Sequence, residues 1–439
     1  MKKLFQNTNT SKHAFFALIL ALLILPVSSV VMADSENDML KERIEKLEKE
    51  IIELKTLANQ KAASEEKTVK PPASDIKSFG GFGIKPYGYI KLDAAYNDSA
   101  VVNGNYVLYV PSEGAVKNDD EFNITARQTR LGLVVTAPEY DGWKTTGKVE
   151  IDFYGDGSVS HETKAEPMLR HAFVEIGKDG LSFLAGQTWD VIGPLNPSTL
   201  NYSVGWGAGN NGYIRPQVRM SYNRNIDKGT SLLTQIALSR TTGLANENLD
   251  GGAMNDGDDS GFPTLQVRAA LSTKLFTDQN AVIGVSGHYG KEEVDWFTGP
   301  ADLKSWSLNM DFMIPLPDRL TFSGEIFMGE NLDDYFGGAV QGVNRATRNE
   351  IAARGIWMQL NYIHNAKLQY NAGFGVDDPD YDDINIGNRD LNSFYFINTM
   401  YNLFPPLTVG IEYTYWETEY RSAAKGTANR LQVSAIYSW

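Results

Sequence analysis

The chain has 439 residues, a formal net charge of −14 and no cysteine. The absence of cysteine excludes a disulfide framework, a thiolate zinc site and a cysteine nucleophile, and the net acidity disfavours nucleic acid as a partner. This length requires several domains or one large barrel. The 40 glycines and the aromatic content of 11% are typical of many short strands joined by glycine-rich turns.

Residues 1–33 are predicted to form a signal peptide. Lys2, Lys3 and Lys12 precede the apolar run Ala14–Leu25, and small residues suited to cleavage end at Ala33. The apolar run is short for a membrane span, and no later segment offers the roughly 20 apolar residues that a spanning helix needs. A mature chain that resides in a membrane must therefore cross it with strands.

Residues 34–58 are predicted to form a coiled coil. Apolar residues recur at spacings of four and three from Leu40 to Ala58, which is the heptad pattern of a parallel assembly. Isoleucine at position a with leucine at position d favours a dimer, but so short a helix is marginal alone. The following segment would then set the stoichiometry. The alternative is a single amphipathic helix packed on the body. Residues 59–78 contain Pro71-Pro72 and are predicted to be a linker.

From residue 79 to residue 439, alternating segments of about ten residues recur, which is the weak signature of membrane strands. In the last segment Leu431, Val433 and Tyr437 share one face of an extended chain, while Gln432 and Ser434 share the other. So apolar an edge strand invites aggregation unless it pairs with another strand. Closure onto the first strand of a barrel supplies that pairing; a β-sandwich is the alternative. The aromatic end also resembles the C-terminal signature of bacterial outer-membrane barrels.

The connections between these segments alternate between two classes. Seven are short, near 138–142, 177–180, 225–229, 276–280, 315–318, 364–366 and 403–406. Eight are long or very polar, near 97–122, 155–165, 190–212, 242–263, 293–302, 330–352, 376–391 and 419–427. Fifteen connections give sixteen strands, and outer-membrane barrels have even strand numbers with short turns on one side and long loops on the other.

We therefore predict an all-β transmembrane barrel of 16 antiparallel strands over residues 79–439, in the outer membrane of a Gram-negative bacterium. Its partners there would be outer-membrane lipid and lipopolysaccharide. The alternation is clean in residues 306–312 and 407–415. It is mixed in residues 181–189 and 394–402, whose register the pattern does not fix.

Several cationic side chains are predicted to point into the lumen. In an extended chain, Arg130, Arg219 and Arg268 point to the face opposite their apolar sequence neighbours. Arg215 is four residues from Arg219, and Lys148 is two residues from Glu150, so the members of each pair point to the same face. Fixed guanidinium groups in a narrow lumen focus the field and bind carboxylates. The alternative is that each arginine pairs with a lumenal carboxylate and only braces the wall. Arg127 and Arg170 lie near strand ends, where parity does not assign a direction.

No enzyme, metal site or cofactor is expected. The acidic runs Asn255–Gly261 and Asp377–Asp383 lack the full spacing of an EF-hand loop, so solvated loop acid is the preferred interpretation. Ser286 and His288 share one strand face rather than a nucleophile and base geometry, and the sequence contains no G-x-S-x-G motif.

Five stretches resemble the DcaP-like outer-membrane porins. They are G-Y-I-K-L-D-A-A-Y (Gly88–Tyr96), T-A-R-Q-T-R-L-G (Thr125–Gly132), R-H-A-F-V-E (Arg170–Glu175), G-Q-T-W (Gly186–Trp189) and P-L-N-P (Pro194–Pro197). The resemblance implies a homotrimer of 16-stranded barrels with N-terminal helices associated in the periplasm, and uptake of dicarboxylates and other small anions. A trimer would replace the dimer that the heptads alone favour.

The resemblance also implies that the connection Asp190–Gly212 folds into the lumen and narrows it. This loop contains no charged residue after Asp190, so it cannot neutralise cationic walls opposite it. Tyr202 and Trp206 in the loop can stack on a solute or anchor the loop to the wall.

The sequence thus predicts a porin for passive diffusion of small hydrophilic solutes, with a preference for anions such as succinate. The residues predicted to line the pore are Arg130, Lys148, Arg215, Arg219, Arg268, Tyr202 and Trp206. The competing hypothesis is an outer-membrane anchor, an adhesin or a cell-wall tether, with a plugged barrel. The N-terminal helix can place the pore near peptidoglycan, although none of its residues identifies that ligand.

Overall fold

A computed structural model describes residues 81–114, 119–155, 162–241, 249, 255–296 and 299–439. The predicted signal peptide, coiled coil and linker of residues 1–78 lie outside these ranges. None of the helices within the ranges is long and apolar enough to cross a membrane.

The described residues form 19 strands. They are β1 (Gly83–Asn97), β2 (Glu121–Thr125), β3 (Arg130–Thr136), β4 (Lys144–Asp152), β5 (Met168–Lys178), β6 (Leu181–Trp189), β7 (Ile214–Asn225), β8 (Ser231–Ser239), β9 (Thr264–Lys274), β10 (Asn280–Trp296), β11 (Gly299–Leu316), β12 (Leu320–Glu330), β13 (Val343–Asn344), β14 (Asn349–Glu350), β15 (Ala352–Ile363), β16 (Leu368–Pro379), β17 (Arg389–Phe404), β18 (Leu407–Tyr420) and β19 (Ala423–Ser438). The helical elements are the single turn Asp256–Asp259 and the 3-10 turns Glu162–Lys164 and Asp333–Tyr335.

These strands make 16 crossings of one closed barrel. Strands β2 and β3 are two parts of one crossing, because both pair with β1 along its length. Strands β13 and β14 pair only with each other and form a small ribbon. The barrel closes where β19 pairs with β1, from Tyr89 opposite Ser438 to Asn97 opposite Arg430. The predicted antiparallel barrel of 16 strands and the closing role of the last segment are confirmed.

The barrel wall presents apolar side chains outward and polar ones inward. On β19, Leu431, Val433 and Tyr437 are exposed, whereas Gln432 and Ser434 are buried. On β11, Leu308 and Met310 are exposed and alternate with the buried Ser307, Asn309 and Asp311. An outward apolar band is what lipid requires of a membrane barrel, and an inward polar surface is what a lumen requires.

Two of the predicted long connections are instead tall strands. Strand β10 continues to Trp296 and β11 begins at Gly299, while β18 continues to Tyr420 and β19 begins at Ala423. The sequence there is polar because the outward side chains, such as Glu293, lie above the apolar band. Val294 and Leu303, on the inward face, are buried. High polarity at these places marks contact with water rather than the end of a strand.

The mixed pattern of β17 also has a physical cause. Tyr395 and Ile397 face outward and are exposed, whereas Phe394 and Phe396 face inward and are almost completely buried. The inward pair packs with Val107, Trp416 and other side chains in one apolar cluster. Loop residues therefore fill this part of the lumen, and a strand between lipid and packed loops is apolar on both faces.

Replacement of Leu308 by arginine tests the outward assignment. An arginine near the middle of the bilayer costs about 2–4 kcal/mol, so Leu308→Arg should lower the free energy of unfolding by that amount in lipid vesicles. Glu293→Arg, on the outward face of β10 but above the apolar band, should leave it nearly unchanged. Urea unfolding followed by tryptophan fluorescence measures both. Equal stability of the two variants would contradict the assignment of Leu308 to lipid.

Candidate functional site

The loop between β6 and β7, residues 190–213, runs into the lumen. Its backbone amides donate hydrogen bonds to side chains on the inner wall of several strands. Val191 N contacts Gln266 Oε1 on β9 at 2.9 Å, Leu195 N contacts Glu325 Oε1 on β12 at 2.7 Å, and Ser198 N contacts Gln359 Oε1 on β15 at 2.7 Å. We call residues 190–213 the constriction loop.

The constriction loop then reaches the strands that close the barrel. Glu412 on β18 accepts hydrogen bonds from Leu200 N at 2.7 Å and from Thr199 Oγ1 at 2.6 Å. The carbonyl oxygen of Leu200 accepts from Lys91 Nζ and from Gln432 Nε2, each at 2.9 Å. The loop therefore extends across the barrel from β9 to β1, as the resemblance implied.

Tyr202 and Trp206 of the constriction loop are buried in an aromatic cluster. The Tyr202 ring stacks on Tyr154 with the centroids 3.9 Å apart, and the Trp206 ring stacks on Phe336 at 4.6 Å. Burial raises the pKa of Tyr202 well above its ordinary value, so the hydroxyl stays neutral and donates to Asp152 Oδ2 at 3.3 Å. These contacts anchor the loop to the wall.

Two further loops fold against the constriction loop. Gly207 N donates to the carbonyl oxygen of Phe336, and Gly212 N donates to that of Tyr335, both at 2.8 Å. Asn392 Nδ2 on β17 donates to the carbonyl oxygens of Leu108 and Gly207, both at 2.7 Å. The loop of residues 331–351 and the described part of the loop after β1 thus hold the constriction loop from its other side.

A cluster of cations surrounds two carboxylates on β4. Arg170 binds Asp152 at 2.8 Å and Glu150 at 3.1 Å. Arg130 lies 3.4 Å from Glu150 and 3.8 Å from Asp152, and Lys148 lies 3.5 Å from Glu150. Three fixed cations therefore face two carboxylates.

The members of this cluster differ in exposure. Arg130 and Lys148 retain 22% and 26% of their side-chain surface exposed, whereas Glu150 and Asp152 retain 4% and 0%. Arg170 is also buried. The two carboxylates thus lie deeper in the wall than Arg130 and Lys148, whose positive groups are partly exposed to the lumen.

The other predicted arginines have different surroundings. Arg215 is fully buried, and its Nε lies 2.9 Å from Asp190 Oδ1. Arg268 binds Asp311 through two hydrogen bonds, at 2.6 and 3.1 Å, with little exposure. Among the described residues, no carboxylate lies within ion-pair distance of Arg219, whose guanidinium donates to Gln217 Oε1 at 2.7 Å. Arg215 and Arg268 therefore brace the wall, and Arg219 joins Arg130 and Lys148 as a partly exposed lumenal cation.

The sequence reasoning did not find the side chains that hold the constriction loop. They include Lys91, Gln266, Glu325, Gln359, Asn398, Glu412 and Gln432. Each is an inward polar residue within a strand, and this inward direction is a signal that alternation could have supplied. Their common partner is a loop that is distant in sequence, and such a contact produces no pattern in the sequence around each residue.

A closed 16-stranded barrel with an apolar outer band and a loop folded across its lumen defines the class of outer-membrane porins. The chain belongs to the DcaP outer membrane protein family, whose model matches residues 28–281. The predicted family is therefore confirmed. None of the curated proteins compared with the chain matches it.

Solved porin structures share the fold. The outer membrane channel DcaP of Acinetobacter baumannii is 20% identical, with a TM-score of 0.65, covering 83% of this chain and 99% of that one. The anion-selective porin from Comamonas acidovorans is 11% identical with a TM-score of 0.52, covering 82% and 100%. OmpF of Salmonella typhi, in complex with daunomycin, is 12% identical with a TM-score of 0.52, covering 82% and 98%.

Glu412 offers a test of how the constriction loop is held. A hydrogen bond to a charged group is worth about 1.5–3 kcal/mol, so Glu412→Ala should free the Thr199–Asn201 segment. Single-channel recordings should then show a larger mean conductance and more open-channel noise than the parent. Glu417→Ala is the matched control on β18, because Glu417 binds Lys425 and Tyr415 instead. Equal noise in the two variants would contradict the anchoring role of Glu412.

Proposed function

We propose that this porin mediates passive diffusion of small hydrophilic solutes with a preference for anions, in particular dicarboxylates such as succinate. The observation that carries the proposal is the order of charges on the wall. Arg130 and Lys148 are partly exposed, while Glu150 and Asp152 are buried behind them. A solute in the lumen would therefore meet the cations first.

The constriction loop strengthens this field because it carries no opposing charge. Its one charged residue, Asp190, is buried and pairs with Arg215. Of the accessible cations Arg130, Lys148 and Arg219, Arg219 is attracted by the half-buried carboxylate of Glu175. Fixed cations in a narrow lumen select anions because water screens them poorly there.

The cations are distributed over more than one strand, which is compatible with a solute that carries two carboxylates. Arg130 and Lys148 lie on the adjacent strands β3 and β4, and Arg219 lies on β7. A solute with two carboxylates can engage the first group and then the second, and a guanidinium binds a carboxylate through two hydrogen bonds. The same barrel fold in the porin from Comamonas acidovorans is anion-selective by its description, so the fold is compatible with that preference.

The proposal includes the setting of the pore. The chain would lose residues 1–33, assemble as a homotrimer among lipid and lipopolysaccharide, and keep residues 34–58 in the periplasm near peptidoglycan. The heptad spacing from Leu40 to Ala58 supports this part.

A triple substitution tests the cationic wall. Arg130→Ser, Lys148→Ser and Arg219→Ser together should reduce the anion preference at least about fivefold, since one unit charge at 4 Å is worth about 1 kcal/mol even in water. The reversal potential under a potassium chloride gradient in a planar bilayer gives the permeability ratio. Arg268 is left unchanged because its replacement would leave the buried carboxylate of Asp311 without a partner.

The control removes the same net charge elsewhere. Lys274, Lys304 and Lys425 are exposed, and their replacement by serine should leave the reversal potential near that of the parent. Unchanged selectivity in the folded wall variant would contradict the proposal, as would an equal change in both triple variants.

A further inference from the structure

Buried acidic and amide side chains gather beside the loop of residues 331–351. Glu292 faces inward near the top of β10, Asn331 follows β12, and Asp333 begins the short turn Asp333–Tyr335. Their exposed fractions are 1%, 0% and 5%. The buried carboxylates of Asp256 and Asp334 lie close enough to Glu292 to act on it electrostatically.

Three oxygens of this cluster have no hydrogen-bond donor. Glu292 Oε2, Asp333 Oδ1 and Asn331 Oδ1 are all buried without a partner. Buried oxygens of this kind are rare, because an unpaired carboxylate costs several kcal/mol away from water. The cluster therefore lacks a positive partner that would offset this cost.

The geometry of Gly342 shows that two of these oxygens converge. A Cβ atom built on Gly342 would collide with both Asp333 Oδ1 and Asn331 Oδ1. The two oxygens thus border the same small space, which exists because residue 342 has no side chain. The backbone of Asn331 is held in place, since its nitrogen donates to Ile351 O at 3.1 Å and its carbonyl accepts from Ser305 Oγ at 2.7 Å.

The neighbouring cations are already engaged. Arg215 binds Asp190, Arg240 binds Asp258 at 2.5 Å, and Arg389 donates to the carbonyl oxygens of Ala339 and Val340. Over the ranges that the structure describes, no lysine or arginine lies within ion-pair distance of Glu292 or Asp333. The described residues therefore offer Glu292 and Asp333 no cationic side chain as a partner.

We propose that Glu292, Asp333 and Asn331 bind a calcium ion. No three acidic or imidazole side chains in the described part of the chain are grouped as metal ligands, so the site would rely on two carboxylates, an amide oxygen and water. That all-oxygen, irregular ligand set suits Ca²⁺, which accepts six to eight oxygens in flexible geometry, better than a transition metal.

The position of the site gives the ion a structural role. It ties β10 to the start of the loop of residues 331–351, whose Tyr335 and Phe336 hold the constriction loop by the hydrogen bonds to Gly212 and Gly207. Bound Ca²⁺ therefore stabilises the arrangement that narrows the lumen. This role does not depend on which solutes pass.

Calcium binding by the purified full-length protein tests the proposal. After treatment with EDTA, equilibrium dialysis against radioactive Ca²⁺ counts the ions, and thermal unfolding is followed with Ca²⁺ or with sodium chloride of equal ionic strength. The combined change Glu292→Gln and Asp333→Asn should remove about one ion per chain and abolish the rise in Tm that Ca²⁺ produces in the parent. Glu293→Gln, which loses a carboxylate on the opposite face of β10, should behave as the parent does.

A second variant keeps every charge. Gly342→Ala places a methyl group in the space between Asp333 and Asn331, so it should lose the same ion, whereas a diffuse attraction of cations to acidic loops would be unaffected. Resistance of the unheated barrel to dodecyl sulfate confirms folding. A parent protein whose Tm does not respond to Ca²⁺, or equal ion counts in the parent and the folded variants, would overturn the proposal.

Discussion

The need to satisfy buried backbone groups organises the lumen of this barrel. When a loop is buried away from water, its backbone amides and carbonyls lose their hydrogen bonds to water, and each of them needs a partner within the protein. The constriction loop finds these partners on the wall, at Gln266, Glu325, Gln359 and Glu412. The wall side chains are themselves too polar to be buried alone. Loop and wall therefore satisfy each other, and this mutual requirement fixes the path of the constriction loop through the lumen.

The same requirement separates bracing charges from accessible ones. Arg215 and Arg268 are buried, and each has a carboxylate of its own. Arg130 and Lys148 share Glu150 with the buried Arg170, so they are only partly neutralised and retain contact with the lumen. An electrostatic filter needs partly exposed, partly neutralised cations such as Arg130 and Lys148. Buried cations with a carboxylate of their own, such as Arg215 and Arg268, stabilise the barrel wall instead.

Alternation along the strands was enough to predict the architecture. The outward residues on β11 and β19 and the regular spacing of turns identified the barrel, its 16 strands and its closure, because lipid imposes a strict two-residue period. Alternation also gave the inward direction of Arg130, Arg219 and Arg268, which lie opposite exposed neighbours such as Leu131, Val218 and Val267.

The alternation did not show which inward side chains contact one another. The pair Arg268–Asp311 joins strands 43 residues apart, and the contact of Leu200 with Glu412 spans 212 residues. Local periodicity carries no record of such partners. It also failed on β17, where Phe394 and Phe396 face packed loops instead of water, and at residues 293–302, where polarity continued along strands that rise above the membrane.

The central claim is that the lumen presents positive charge to solutes. Its most direct test is the reversal potential of the unmodified protein in a planar bilayer under a potassium chloride gradient, with succinate then added. The account predicts open channels that prefer chloride to potassium and are blocked briefly by succinate. Channels that prefer potassium would contradict the assignment of the cationic wall, and a barrel without conductance would favour the plugged anchor instead.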